Sequence, residues 1–132
     1  TKRIEECLEL TWLSDKRNAL CEELSRGMKQ RLCLAKTLVH DPPVLILDEP
    51  TSGLDPNQIL AIRNLIRRIG ASRTVILSTH ILQEVQATCD RVLIINQGRV
   101  VAQGTQEELL ETSPVFREIH EFGLLQEIGV SA

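Results

Sequence analysis

The run Val44-Leu45-Ile46-Leu47-Asp48-Glu49-Pro50 constrains this chain more than any other, because four large aliphatic residues end abruptly in two carboxylates and a proline. Four apolar residues in succession suit a strand of a parallel sheet buried on both faces, and in open α/β sheets ligands gather at the carboxyl ends of the strands. Successive strand side chains point to opposite sides, so Asp48 and Glu49 take different roles. Pro50 closes the strand and biases Glu49 toward extended backbone. One acid can hold a metal and the other a water, the division of labour that phosphoryl transfer from a nucleotide requires. Strand-end acids also cap turns, and the motif by itself leaves both accounts open.

The segments around this strand read as alternating helices and strands. Ile4, Cys7, Leu8 and Thr11 fall at helical spacing within Ile4 to Leu13, and Ser14 with Asp15 offers a turn or a short helix. Ser25 reads as the N-cap of a helix with an apolar face of Met28, Leu32, Ala35, Leu38 and Val39, ending before Asp41-Pro42-Pro43. Lys29, Lys36 and His40 fall on a solvated face. Asp55-Pro56 is a helix start, a capping carboxylate followed by proline at the first helical position, with Ile59, Ile62, Ile66 and Ile69 as its buried stripe and Gly70 at its end. A strand follows at Thr74 to Ser78, and His80 is expected to open a helix carrying Leu82, Val85 and Cys89. Val92 to Asn96 and Arg99 to Ala102 read as strands hinged at Gly98, with short helices at Gln106 to Glu111 and Val115 to Glu121. This order indicates an α/β layered fold with a parallel core.

Composition narrows the function. A length of 132 residues with 42% hydrophobic content fits one globular domain or part of one. The net charge of -3 and the few aromatic residues, Trp12, Phe116 and Phe122, argue against a nucleic-acid partner, which needs a basic footprint or stacking rings. Cys7, Cys21, Cys33 and Cys89 lack CxxC or ligand spacing, so they read as reduced, mostly buried thiols rather than a zinc site or disulfide framework. No apolar run approaches the length of a membrane span, so any membrane link is expected through a partner. The only methionine is Met28, inside a predicted helix, and the chain opens on Thr1, so a segment of a longer protein is expected.

Four elements stand in fixed order: Leu24-Ser25-Arg26-Gly27-Met28-Lys29-Gln30-Arg31, then Leu47-Asp48-Glu49-Pro50, then Ser52-Gly53-Leu54-Asp55, then Ser78-Thr79-His80. Together they resemble the signature helix, Walker B strand, D-loop and switch histidine of the ATP-binding cassette (ABC) family, the ATPase subunits of ABC transporters, over about Ile4 to Leu110. Family members usually carry glycine where Arg26 stands and glutamine where Met28 stands, so the signature is a variant that keeps Ser25, Gly27, Gln30 and Arg31. The wording around Met28 and from Thr51 to Ile59 looks most like stand-alone bacterial export ATPases of the multidrug or gliding-motility type. Ser113 to Leu124 is similar to the carboxyl ends of exporters with fused membrane domains, which leaves separate and fused architectures open.

The resemblance implies a P-loop NTPase-like parallel sheet flanked by helices, carrying part of the ABC helical subdomain. No G-x-x-x-x-G-K-[ST] phosphate loop occurs in the sequence, so the Walker A half is expected upstream, and this stretch by itself is expected to show no ATPase activity. Residues 1–112 would form the carboxyl-terminal half of a nucleotide-binding domain, with the helical subdomain and signature helix in 1–40 and part of the catalytic core in 41–112, followed by a tail at 113–132. By resemblance Asp48 positions Mg²⁺, Glu49 polarises the attacking water and His80 contacts the γ-phosphate, staying neutral at a helix start where the dipole disfavours imidazolium. Ser25, Arg26, Gly27 and Met28 would face ATP held by a second nucleotide-binding domain, with Asp55 at the seam of a head-to-tail dimer. Free N–H groups at the α-helical start after Ser25 suit a phosphate. The implied ligands are ATP and Mg²⁺, the partner a transmembrane permease subunit or domain, and the location the cytoplasmic face of the membrane. Two competing functions are an ABC ATPase that moves no solute and a non-catalytic docking module, the latter disfavoured by retention of Glu49 and His80. Asp48, Glu49 and His80 are expected on one rim of the sheet.

Overall fold

The computed structural model describes residues 2–122, which fall into two compact units, one ending at Ser78 and the other beginning at Thr79. Of the tail expected at 113–132, residues 123–132 lie outside the described residues.

The first unit runs α1 (Lys2–Leu10), short 3-10 turns at Ser14–Lys16 and Cys21–Glu23, α2 (Arg26–Leu38), β1 (Val44–Asp48), α3 (Pro56–Gly70) and β2 (Thr74–Ser78). The first helix is shorter than the expected Ile4 to Leu13. The Thr11 hydroxyl turns back to donate to the Cys7 carbonyl at 2.9 Å, and Trp12 enters the left-handed region at φ 55, which terminates the helix. Of the positions at helical spacing, Cys7 and Thr11 are buried and Leu8 is half-buried, whereas Ile4 is 49% exposed.

β1 and β2 pair in parallel, from Val44 opposite Thr74 to Asp48 opposite Ser78. A parallel pair needs a crossover, and α3 supplies it. Ile62, Leu65, Ile66 and Ile69 of α3, Leu34, Ala35 and Leu38 of α2, and Leu45 and Leu47 of β1 form one core with Cys7. The buried stripes sit slightly round from those predicted. Leu34 replaces Met28 and Leu32, which are half-buried, and Leu65 is fully enclosed while Ile59 is half-buried.

The expectation that β1 is buried on both faces is not met within the described residues. Both helices pack on the Leu45 and Leu47 side, so Val44 remains 47%, Ile46 74% and Ile76 54% exposed on the other.

The second unit runs α4 (Leu82–Thr88), β3 (Arg91–Asn96), β4 (Arg99–Thr105), α5 (Gln106–Thr112) and α6 (Pro114–Phe122). Its strands form an antiparallel hairpin, and Gln97 at φ 48 and Gly98 at φ 73 supply the two positive dihedrals that a tight primed turn demands. Thr105 caps α5 in a reciprocal box with Glu108, at 3.2 and 2.8 Å. The Gln106 carboxamide donates to the Cys89 carbonyl at 3.1 Å, and Leu109, Phe116 and Ile119 are buried.

The cysteines differ from expectation. Only Cys7 is buried, Cys89 is intermediate, and Cys21, on a surface turn, and Cys33, which borders the cleft beside β1, are exposed. Burial, reinforced by the charges of Asp90 and Glu84, pushes the Cys89 thiol above its ordinary value.

At the other end of the core, Asp41 accepts from Arg3 at 3.1 Å and from Arg73, while Arg3 also donates to the Leu38 carbonyl at 2.9 Å. The Arg73 hydrogen bond and charge, opposed by desolvation and assisted by Arg3, hold the Asp41 carboxyl below the usual carboxylate value. A depressed folded-state pKa stabilises the fold above the unfolded value, and that contribution is lost as pH falls through the folded one. Asp41→Asn is therefore expected to destabilise at neutral pH, with the gap from wild type closing as pH drops below about 4, measured by denaturant unfolding across pH. In the core, Leu65→Ala is expected to cost about 2–5 kcal/mol by the same measurement in the intact protein.

Candidate functional site

The carboxyl end of β1 sets the geometry. Asp48 is exposed and lies opposite Ser78 in the ladder, and the Ser78 hydroxyl donates to its Oδ1. Glu49 is half-buried, and its N–H continues the ladder by donating to the Ser78 carbonyl at 3.0 Å.

Glu49 does not take the extended geometry that Pro50 favours. Its φ is 46, in the left-handed region, because the chain turns immediately: the Ser52 N–H donates to the Glu49 carbonyl at 3.0 Å and the Leu54 N–H to Thr51 at 3.3 Å. Gly53, at φ 70, completes the bend. A left-handed glutamate costs on the order of 1–3 kcal/mol, and such strain clusters at functional sites.

Two helix starts meet this turn. Ser25, with φ -62 and ψ 163, caps α2 by accepting from the Met28 N–H at 3.2 Å, as expected. Gly27 is buried in the first turn and Met28 is half-buried. The Gln30 carboxamide donates to the Pro50 carbonyl at 2.9 Å, tying α2 directly to the residue after the acid pair. Asp55 caps α3 by accepting from the Gln58 N–H at 3.0 Å. The Arg26 guanidinium lies over Gly53, where an added Cβ would come within 2.3 Å of its Cζ. Arg31 reaches back toward the Thr11 and Trp12 carbonyls, at 3.4 Å each.

Ser25, Arg26, Gly27, Asp48, Glu49 and Asp55 thus belong to the first unit, while His80 belongs to the second. The expectation that His80 opens a helix is corrected: α4 begins at Leu82 with Ile81 as its N-cap residue, and His80 is exposed in the preceding bend. Thr79 explains the delay, since its Oγ1 accepts the Ile81 N–H at 3.1 Å and holds a local turn before the helix. The dipole argument for a neutral His80 therefore has no helix start to rest on. Sequence reasoning missed Gln58, although Asp55 and Gln58 stand at capping-box spacing, and it missed Ser78 as the partner of Asp48.

Two clefts adjoin these residues, one of ≈ 140 Å³ beside Asp48, Gln30 and Pro50, the other of ≈ 180 Å³ beside Gly27, Leu54 and Gln58. Both fall below the roughly 300–1,000 Å³ of a small-molecule pocket. No group of three or more His, Cys, Asp or Glu side chains among the described residues is arranged to hold a metal by protein ligands alone. Asp48 and Ser78 offer oxygen donors at neighbouring strand ends, which suits Mg²⁺, an ion that takes one or two protein oxygens and completes its shell with water and phosphate.

A parallel strand pair with a crossover helix, acids at the strand end and two capped helix starts facing one turn define part of a P-loop NTPase-like α/β domain. Residues 1–52 match the ABC transporter family. The chain is 43% identical over 106 residues to the Nod factor export ATP-binding protein I of Burkholderia orbicola, covering 80% of this chain and 35% of the relative. It is 40% identical over 118 residues to the uncharacterized ABC transporter ATP-binding protein YhcH of Bacillus subtilis, covering 87% of this chain and 39% of the relative. A solved structure of a bacterial Atm1-family ABC exporter with ATP bound superimposes with a TM-score of 0.75 at 27% identity, covering 99% of this chain and 24% of that one. The chain is similar to the ATP-binding proteins of ABC transporters. It spans about a third of the length of the Nod factor relatives it matches.

Asp55→Ala is expected to lower stability by about 0.5–2 kcal/mol and Asp55→Asn by far less, since asparagine caps nearly as well. Thermal unfolding of the intact protein measures both.

Proposed function

We propose that this chain supplies the carboxyl-terminal half of the ATP-binding and ATP-hydrolysing domain that powers an ABC transporter. The observation that carries this reading is the Gln30 to Pro50 bond, which fixes the start of α2 against the turn that follows Asp48 and Glu49. In this reading residues 1–40 are the helical subdomain with the signature helix, 41–112 part of the catalytic core and 113–132 a tail. The uncovered face carrying Val44, Ile46 and Ile76, with clefts too small for a nucleotide, supports a site completed by a phosphate-binding half outside these residues.

Asp48 and the Ser78 hydroxyl would hold Mg²⁺, which supplies charge neutralisation at the phosphate oxygens when bound. Glu49 orients the attacking water and takes its proton. The turn from Glu49 to Leu54 fixes where that carboxylate hangs, so the water need not be repositioned as the reaction proceeds. His80 hydrogen-bonds the terminal phosphate.

Ser25, Gly27 and the free N–H groups of the first turn of α2, with Arg26 and Met28 beside them, meet the phosphate of ATP held by a second nucleotide-binding domain, and Asp55 lies at the dimer seam. No helix among the described residues is long and apolar enough to cross a membrane. In this reading coupling to transport runs through a transmembrane permease subunit or domain, at the cytoplasmic face of the membrane. The export names of the relatives and of the structural neighbour support outward transport.

Glu49→Gln in the intact protein is expected to keep ATP binding and lower turnover by about 10²–10⁴-fold, with ATP-bound dimers accumulating. Steady-state ATPase rates and size-exclusion chromatography with ATP read both effects, and unchanged turnover refutes the role. This stretch expressed alone is expected to hydrolyse ATP no faster than background.

A further inference from the structure

The two helix starts that meet the 49–55 turn are joined by one side chain, Gln58, whose part in capping α3 does not account for all of its contacts. Gln58 sits in the first turn of α3. Its N–H donates to Asp55 Oδ1 at 3.0 Å, and its Oε1 accepts from the Asp55 N–H at 3.4 Å, so the residue closes a reciprocal capping box. The rest of the carboxamide lies on α2: a Cβ at Gly27 would come within 2.5 Å of Gln58 Nε2, 2.6 Å of Cδ and 2.7 Å of Oε1. Gly27 is the buried residue of the first turn of α2, and it leaves open the space that the carboxamide fills. Arg26 over Gly53 makes a second contact between the same two segments.

We propose that Gln58 is a positioning residue, whose carboxamide, packed on Gly27 and bonded to the Asp55 backbone, holds the phosphate-facing start of α2 in register with the Asp55 turn. This rests on the functional reading above, in which the start of α2 meets a phosphate and Asp55 lies at the dimer seam. The two recognition segments then move as one body, and closure over ATP positions both.

The geometry also explains the choice of amide. A capping box accepts glutamate as readily as glutamine. Here a glutamate could still accept the Asp55 N–H, at the cost of a second carboxylate near that of Asp55, but would set a negative charge against Gly27, beside the positive end of the α2 dipole that the phosphate needs. The neutral carboxamide caps without competing for that field.

The test compares Gln58→Glu with wild type in the intact protein and adds a Gly27→Ala, Gln58→Ala double-mutant cycle. Gln58→Glu is expected to leave the unfolding temperature near wild type while raising the KM for ATP on the order of tenfold, with kcat changed much less. Gly27→Ala is expected to weaken ATP binding, and Gln58→Ala to recover part of that loss, because the smaller side chain vacates the space the new methyl occupies.

Wild-type KM in the folded glutamate variant would mean that Gln58 only caps α3, which overturns the proposal. Additive losses in the cycle overturn it too, and the cycle decides the matter if the glutamate variant does not fold. Wild-type protein that binds no ATP removes the functional reading itself, an outcome distinct from either.

Discussion

The parallel register of β1 against β2 is the constraint on which the first unit depends. It sets Asp48 opposite Ser78 and lets the Glu49 N–H extend the ladder by one bond to the Ser78 carbonyl. A slip of one residue would exchange Leu45 and Leu47 for Val44 and Ile46 on the core face and would remove the hydroxyl partner from Asp48. What fixes the register is burial. Leu45 and Leu47 lie 3% and 8% exposed against α2 and α3, and each fully buried aliphatic side chain contributes about 1.5–3 kcal/mol. Packing on one face thus decides the geometry of the chemistry at the strand end.

Much of this arrangement was legible in the residues. The aliphatic run before Asp48, Ser25 ahead of an amphipathic helix, Asp55-Pro56 and the turn at Gly98 each carry a local physical signal, and each forms the element that signal predicts. Local signals failed where a distant contact decided the outcome. Leu34 and Leu65 displaced Met28 and Ile59 in the core because the stripe that faces β1 is set by how each helix docks, and a broad apolar face leaves that rotation undetermined. The start of α4 was misplaced because Thr79 competes for the Ile81 N–H. Within the site, both acids and both caps could be read from sequence. The packing of Gln58 on Gly27 could not, since it joins residues on separate helices and leaves only capping-box spacing as a trace.

The bare side of the first unit's sheet bears on how its stability is distributed. Parallel sheets are ordinarily covered on both faces, and here Ile46 stands 74% exposed with Val44 and Ile76 beside it. The core on one face sets the register, while the other face leaves Val44, Ile46 and Ile76 exposed. The turn after Asp48 is held from the covered side by Gln30 and from the sheet by Ser78.

The left-handed backbone at Glu49 changes the argument that separates the two acids. Strand alternation assigns neighbours to opposite faces only while both residues are extended, and Glu49 has left the strand. The distinction between them then rests on surroundings. Asp48 is exposed and already bonded to a hydroxyl, an arrangement suited to an ion that shares its oxygens with water, whereas Glu49 is half-buried on a turn closed by the Ser52 N–H. Holding that turn costs on the order of 1–3 kcal/mol in backbone strain. The Gln30, Ser52 and Ser78 hydrogen bonds, at about 0.5–1.5 kcal/mol each, are of a size to offset it. A glutamate that needed only to cap a turn could sit in an extended or right-handed conformation at no such cost. Under the proposed function, strain maintained by three separate partners supports giving the water-directing role to Glu49 rather than to Asp48.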